Sequence, residues 1–211
     1  MEIAVKQREI EFLVHFTQAV NLESIITNGI IPVSDLDEKN MSYMYNDEHR
    51  IDGCLNASCF SIQFPNYKFF YPLRQENPSV DWVVLGIDKS VLWEKDCLFC
   101  KENAASNNVR FLSHNDRRGV SAFNGIFDEI PGKAARSQLS IPKYYPTNPQ
   151  AEVLVLDTVE PRYFLGVAFE NEIVKEKYNH LIPNNLTSVV HSEFFNARSD
   201  YRFWRDVNIY G

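Results

Sequence analysis

Five short runs of β-forming residues punctuate the chain: EFLVHF (11–16), SCFSI (58–62), DWVVLGID (81–88), EVLVLD (152–157) and YFLGVAF (163–169). Apolar runs of this length, bounded by Gly, Pro, Asn and Asp, read as strands. SVVHSEFF (188–195) supplies a last strand, and SNNVRFLS, around 105–112, is a weaker candidate. Only two stretches between them carry a helical period. One starts at Asn21 as N-cap, with Glu23 in the first turn, Leu22, Ile25 and Ile26 on one face and Gly29 as the C′ residue; the other is ENEIVKEKYNHL (170–181). So few crossover helices cannot connect a doubly wound parallel sheet, and the expected class is α+β. Residues 30–53 lack periodicity and read as a long loop of the kind that lines sites, while FPNYKFFYPL (64–73) fits either a helical turn or a loop.

A chain of 211 residues is read as one domain, 1–211, large enough to bury about 70% of its unfolded surface. The opening MEIAVKQREIEF carries charges where a secretory signal needs an apolar run, and no 18 consecutive residues are apolar. The expectation is a cytoplasmic protein with no membrane association. Its four cysteines would then be reduced thiols. CLFC (97–100) has the spacing of a zinc half-site, but no second CxxC or HxxxH accompanies it; Leu98 and Phe99 favour a packed turn, and no metal is expected.

The net charge is −7, which argues against indiscriminate coating of nucleic acid. Charge is unevenly placed, however. Residues 101–145 hold seven basic residues against four acidic, a local +3 that leaves −10 for the remainder. Residues 113–149 have no sustained period and read as a partly helical excursion rich in rings and cations.

Three polar residues stand in informative apolar surroundings: His15 at a strand end, Arg50 at the end of the long loop, and Glu152 at the head of four aliphatic residues. Burying an unpaired carboxylate costs several kcal/mol, so Glu152 either faces water, has a partner, or lines a cleft where chemistry uses it. Each has an ordinary structural reading: a satisfied histidine, a solvated arginine, a glutamate in water.

In order and spacing these residues fall within VHFTQAVNLESIITNGI, HRIDG, SCFSIQFPNYKFFY and QAEVLVLD. Over roughly residues 11–165 this pattern resembles the DarT family of bacterial DNA ADP-ribosyltransferase toxins. The resemblance implies an ADP-ribosyltransferase fold, with two small, mainly antiparallel sheets, flanking helices and a central cleft for NAD as co-substrate. It implies Glu152 and Arg50 as catalytic residues, the carboxylate holding the nicotinamide ribose and stabilising the positive charge that develops as nicotinamide leaves. It also implies an NAD site built from His15, Phe16, Thr17, Asn21, Gly29 and Arg50. Tyr67 or Tyr71 is a candidate to stack on nicotinamide, although aromatic-rich segments are commonly core.

The resemblance further makes 113–149 the acceptor-recognition segment, with His114, Arg117, Arg118, Lys133, Arg136 and Tyr144 as candidates for binding single-stranded DNA. The plain alternative is a solvated loop. RIDGCLNASCFSIQFPNYKFFY resembles the guanine-modifying branch of the family more than the thymine-modifying one. A macrodomain antitoxin and a role in phage defence are implied as well. Competing readings are an NAD glycohydrolase using the same cleft with water as acceptor, a non-catalytic binding module on the same fold, and an RNA 2-phosphotransferase.

Overall fold

The computed structural model describes residues 1–44 and 54–205. Its strands are β1 (Phe12–Gln18), β2 (Ser58–Ile62), β3 (Trp82–Asp88), β4 (Cys97–Cys100), β5 (Glu152–Val155), β6 (Phe164–Phe169) and β7 (Thr187–Val190). They form one seven-stranded sheet in the order β4-β5-β2-β1-β3-β6-β7, antiparallel throughout except for the parallel β6/β7 pair. The class is α+β, but the two sheets expected from the sequence are joined into one. The joint is β2: Ser58, Cys59 and Phe60 pair with β5, whereas Ser61 and Ile62 pair with β1. A five-residue strand thus passes the ladder from one half of the sheet to the other.

The helices are α1 (Glu2–Gln7), α2 (Leu22–Asn28), α3 (Val33–Glu38), α4 (Tyr67–Glu76), α5 (Val91–Glu94), α6 (Gly119–Gly125), α7 (Arg136–Leu139) and α8 (Glu172–Tyr178). None is long and apolar enough to cross a membrane, among the described residues.

Several local expectations are corrected. CLFC is a strand and not a turn, because both its faces are covered: Cys97 and Phe99 enter the main core, while Leu98 and Cys100 enter a second cluster with Cys54, Ala57 and Leu154. Residues 105–112 form turns, with Val109 and Arg110 N–H both donating to Ser106 O. Residues 30–53 are not loop throughout, since α3 begins directly after Pro32, whose fixed φ suits a helix start. The 64–73 segment resolves into α4, capped by Asn66, whose side chain accepts from Phe69 N–H at 3.3 Å. Asn21 does not cap α2: its backbone is already helical, and a 3₁₀ turn, Ala19–Asn21, runs into the helix.

The period-2 alternation of β1 sorts its side chains. Leu13 faces the main core with Phe60, Leu85, Val153 and Phe169. Val14 faces a smaller cluster on the other side, where Phe70 of α4, Trp82 and Phe195 pack. His15 and Thr17 share the Leu13 face at the end where that core opens, and Phe16 stacks on Phe70 with ring centroids 4.3 Å apart. At the end of α2 the chain turns through Gly29 at φ +92°, and a Cβ there would sit 2.6 Å from Val159 O. That approach lets Ile30 and Val159 exchange backbone hydrogen bonds, tying α2 to the segment after β5.

Candidate active site

A cleft of about 1220 Å³, open to solvent, lies between the end of β1, α2, β2 and the head of β5. His15, Phe16, Thr17, Asn21, Gly29 and Glu152 all line it. These are six of the residues singled out from the sequence, drawn from positions up to 137 apart, and the sheet order gathers them. Arg50 lies outside the described residues.

Glu152 is 7% exposed, and three donors hold it among the described residues. Its Oε1 accepts from Nδ2 of Asn66 and Nδ2 of Asn103, each at 3.2 Å, and its Oε2 accepts from Ala104 N–H at 2.8 Å. Asn66 is 1% exposed and turns its other amide atom to the start of α4, so one side chain caps a helix and orients the carboxylate. Directed N–H groups in the cleft wall thus stabilise the buried carboxylate at the strand head.

His15 donates from Nδ1 to Cys59 O at 2.8 Å, because a carbonyl only accepts. In a neutral ring that bond places the proton on Nδ1, with Nε2 the acceptor nitrogen. The ring also leans on Phe60, with centroids 5.3 Å apart. Asn21 works as a clamp: Nδ2 donates to Thr17 Oγ1 at 3.0 Å and Met44 O at 2.9 Å, while Oδ1 accepts from Met44 N–H at 2.8 Å. It holds residue 44, on the rim of the cleft, against the end of β1.

Tyr67 and Tyr71 do not line the cleft, and Tyr71 is 53% exposed. The helical period of α4 turns Phe69 to the cleft instead and sends Phe70 into the core.

The excursion departs further from its expectation. Arg117 is buried; among the described residues only the Cys100 sulfur is within hydrogen-bonding range, at 4.0 Å, and Nε has no partner. Arg136 donates to the carbonyls of Tyr145 and Pro142 and to Thr147 Oγ1. Burial above all, then Arg8 and Arg198 nearby, lowers its pKa. Arg118 is bound in a two-pronged pair with Asp96, at 2.9 and 2.5 Å. Arg117 and Arg136 thus turn their guanidiniums into the fold, whereas Arg118 is exposed and paired with Asp96. Tyr144 packs half-buried against the main core, His114 is half-buried, and Lys133 is exposed beside the Trp204 ring.

No group of three or more His, Cys, Asp or Glu able to hold a metal occurs among the described residues. Burial pushes the Cys97 and Cys100 thiols up to about 12, so both are protonated at neutral pH and poor metal ligands. Asn66, Asn103 and Phe69 are site residues that the sequence reading misses. Asn66 left a signal, an N-cap residue ahead of an aromatic helical run; Asn103 left none.

The family model described as "ssDNA thymidine ADP-ribosyltransferase, DarT" matches residues 14–201. No curated protein sequence matches the chain. Among solved structures, Thermosipho africanus DarTG in complex with ADP-ribose superposes with a TM-score of 0.63 at 16% identity, covering 88% of this chain and 51% of that one. This chain thus spans about half the length of that protein. Thermus sp. 2.9 DarT in complex with NAD+ superposes with a TM-score of 0.56 at 11% identity, covering 89% of this chain and 98% of that one. The same Thermus protein in complex with ADP-ribosylated ssDNA gives a TM-score of 0.56 at 12% identity, covering 89% and 97%.

Proposed function

The chain belongs to the DarT family, and on that premise we propose that it transfers ADP-ribose from NAD to a base of single-stranded DNA. The observation that carries this reading is Glu152: a buried carboxylate at a rigid strand head, held on both oxygens, in one cleft with His15 and Thr17.

In the transfer, the bond between nicotinamide nitrogen and ribose breaks, and nicotinamide leaves with the electron pair. The anomeric carbon becomes electron-deficient. A fixed carboxylate beside the ribose lowers the energy of that state more than of the ground state, which is what raises the rate. A base nitrogen then supplies the pair for the new bond and sheds its proton, for which Glu152 is a suitable acceptor. His15, a neutral ring with Nε2 as acceptor, suits a hydroxyl of the adenosine ribose. Arg50 is assigned to the diphosphate or to orienting Glu152 by its place in HRIDG alone. A single strand is the fitting acceptor because base edges are hidden in a duplex.

The matched model is named for thymidine, whereas RIDGCLNASCFSIQFPNYKFFY resembles the guanine-modifying branch. Oligonucleotides lacking one or the other base separate these acceptors directly. A macrodomain antitoxin is the proposed partner, in keeping with the name DarTG of the Thermosipho structure.

The test is incubation with NAD and a single-stranded oligonucleotide. A mass gain of one ADP-ribose on the DNA is expected; release of nicotinamide with unchanged DNA would instead establish a glycohydrolase.

A further inference from the structure

Once Arg117 and Arg136 are assigned to the fold and Arg118 is paired with Asp96, the acceptor strand needs other contacts. Lys101 is also engaged, by Asp128 at 3.1 Å. Arg110 is different. It is exposed, and its one neighbour of note is a ring: its guanidinium lies over Phe111, 4.6 Å from the centroid. No ion pair of Arg110 occurs among the described residues. Phe111 is 77% exposed, and Leu112 beside it 44%.

An exposed apolar side chain is common and by itself says little. Its position adds the rest. The segment that carries this pair begins at the carboxylate: Asn103 and Ala104 donate to Glu152, and Ala105 lines the cleft. From there the chain folds into a knuckle, with Val109 and Arg110 N–H on Ser106 O, Leu112 N–H on Val109 O, and Val109 buried beneath. Even fully extended, the chain from Ala105 to Phe111 spans no more than about 22 Å, and these turns shorten it. A strand presenting a base at Glu152 therefore has Phe111 within a few nucleotides.

Resting on the transferase reading above, we infer that Arg110 and Phe111 form a docking point for the acceptor strand. Phe111 is the stacking surface for a base flanking the modified one, and Arg110 pairs with the neighbouring phosphate. Ring and cation side by side match the two things every nucleotide of a single strand offers, a π-face and a negative charge, without regard to sequence.

The experiment titrates the full chain with a labelled, mixed-sequence single-stranded oligonucleotide at several salt concentrations. Phe111→Ala is expected to weaken binding about tenfold, the scale of one lost base stack, and Phe111→Trp to retain it. Arg110→Ala should also weaken binding and flatten the dependence of log affinity on log salt by about 0.7. NAD affinity and the thermal midpoint should stay at wild-type values, since neither side chain reaches the cleft or the core. Binding by both alanine variants equal to wild type overturns the inference, as does a loss of binding matched by a fall in thermal midpoint. A wild-type chain that binds the oligonucleotide but transfers nothing sinks the transferase reading while the binding comparison still decides this one. A wild-type chain with no affinity for the strand overturns both.

Discussion

The cleft and the 113–149 excursion use the same kinds of residue to opposite ends. In the cleft, Glu152, Asn66 and His15 are held by partners in the wall and still line an open space. Around the excursion, its own Arg136 and the buried Arg198 from the C-terminal segment direct their donors inward at carbonyls of residues 142–147. Arg198 NH1 and NH2 reach Pro146 O and Thr147 O at 3.0 Å, and Asp200 neutralises it through two bonds of 2.7 Å. Trp204 adds an indole N–H to Asp200 at 2.8 Å. A guanidinium has five donors, and a segment with little regular structure leaves many carbonyls without partners, so arginines there serve as cross-links. Cationic composition thus marks a binding surface only where the fold has no internal need of the charge.

The sharpest way to break this comparison is to remove the cross-link. Asp200→Asn leaves Arg198 buried without its counter-charge and should cost about 3 to 5 kcal/mol of stability. Chemical denaturation reads it, and a shift below 1 kcal/mol would mean that the arginines of this region are not structural.

Glu152→Gln should act in the reverse manner. It keeps the size of the side chain, but its amide N–H₂ meets a donor where one carboxylate oxygen accepted, at a cost of about 1 to 3 kcal/mol of stability; in the chain that stays folded, transfer should fall by about 10² to 10³, or about 2.7 to 4 kcal/mol in barrier. Single-turnover assay of DNA modification measures it; full activity in this variant would end the role assigned to Glu152.

The buried thiols beside the cleft provide a pH test. Cys97 and Cys100 are raised from 9.0 to about 12, chiefly by burial, with Asp96 adding at Cys97 and Glu152 at Cys100. The neutral form is therefore favoured in the folded chain. Their contribution is intact below the unfolded value and declines as pH rises from about 9 towards 12, where only the unfolded chain loses the proton. Stability should fall across that window, and less so in a Cys97→Ala, Cys100→Ala variant. Rapid alkylation of both thiols in the folded chain at neutral pH would contradict the assignment.

The smallest effect belongs to Arg118→Ala. Its pair with Asp96 is solvent-exposed, with side chains 38% and 44% accessible, and should contribute about 0.2 to 1 kcal/mol. The salt slope of oligonucleotide binding should not change. A slope flattened by a full contact would return Arg118 to the DNA surface.

Much of the architecture was legible because strands announce themselves locally. EVLVLD and DWVVLGID are apolar over their length, and Gly29 follows a short amphipathic turn. His15, Thr17, Asn21, Gly29 and Glu152 were readable as a group from motif order, and the sheet brings them to one cleft. Asn103 was not readable, since nothing in KENAAS distinguishes an amide that meets a carboxylate 49 residues later from one in water. Nor was the sharing of β2 between two neighbours, which depends on register across the whole sheet.

By itself, the sequence determined strands β1, β2, β3, β5 and β6, that the class is α+β, and where acid, imidazole and cations stand along the chain. Only the tertiary structure decided what each polar side chain faces. Arg110 and Arg117 lie seven residues apart and carry the same group, yet one is in water over a ring and the other is buried beside a thiol. The reason is physical: secondary structure follows from short-range sterics and hydrophobic period, whereas the partner of a charge is set by long-range packing, which local sequence does not encode.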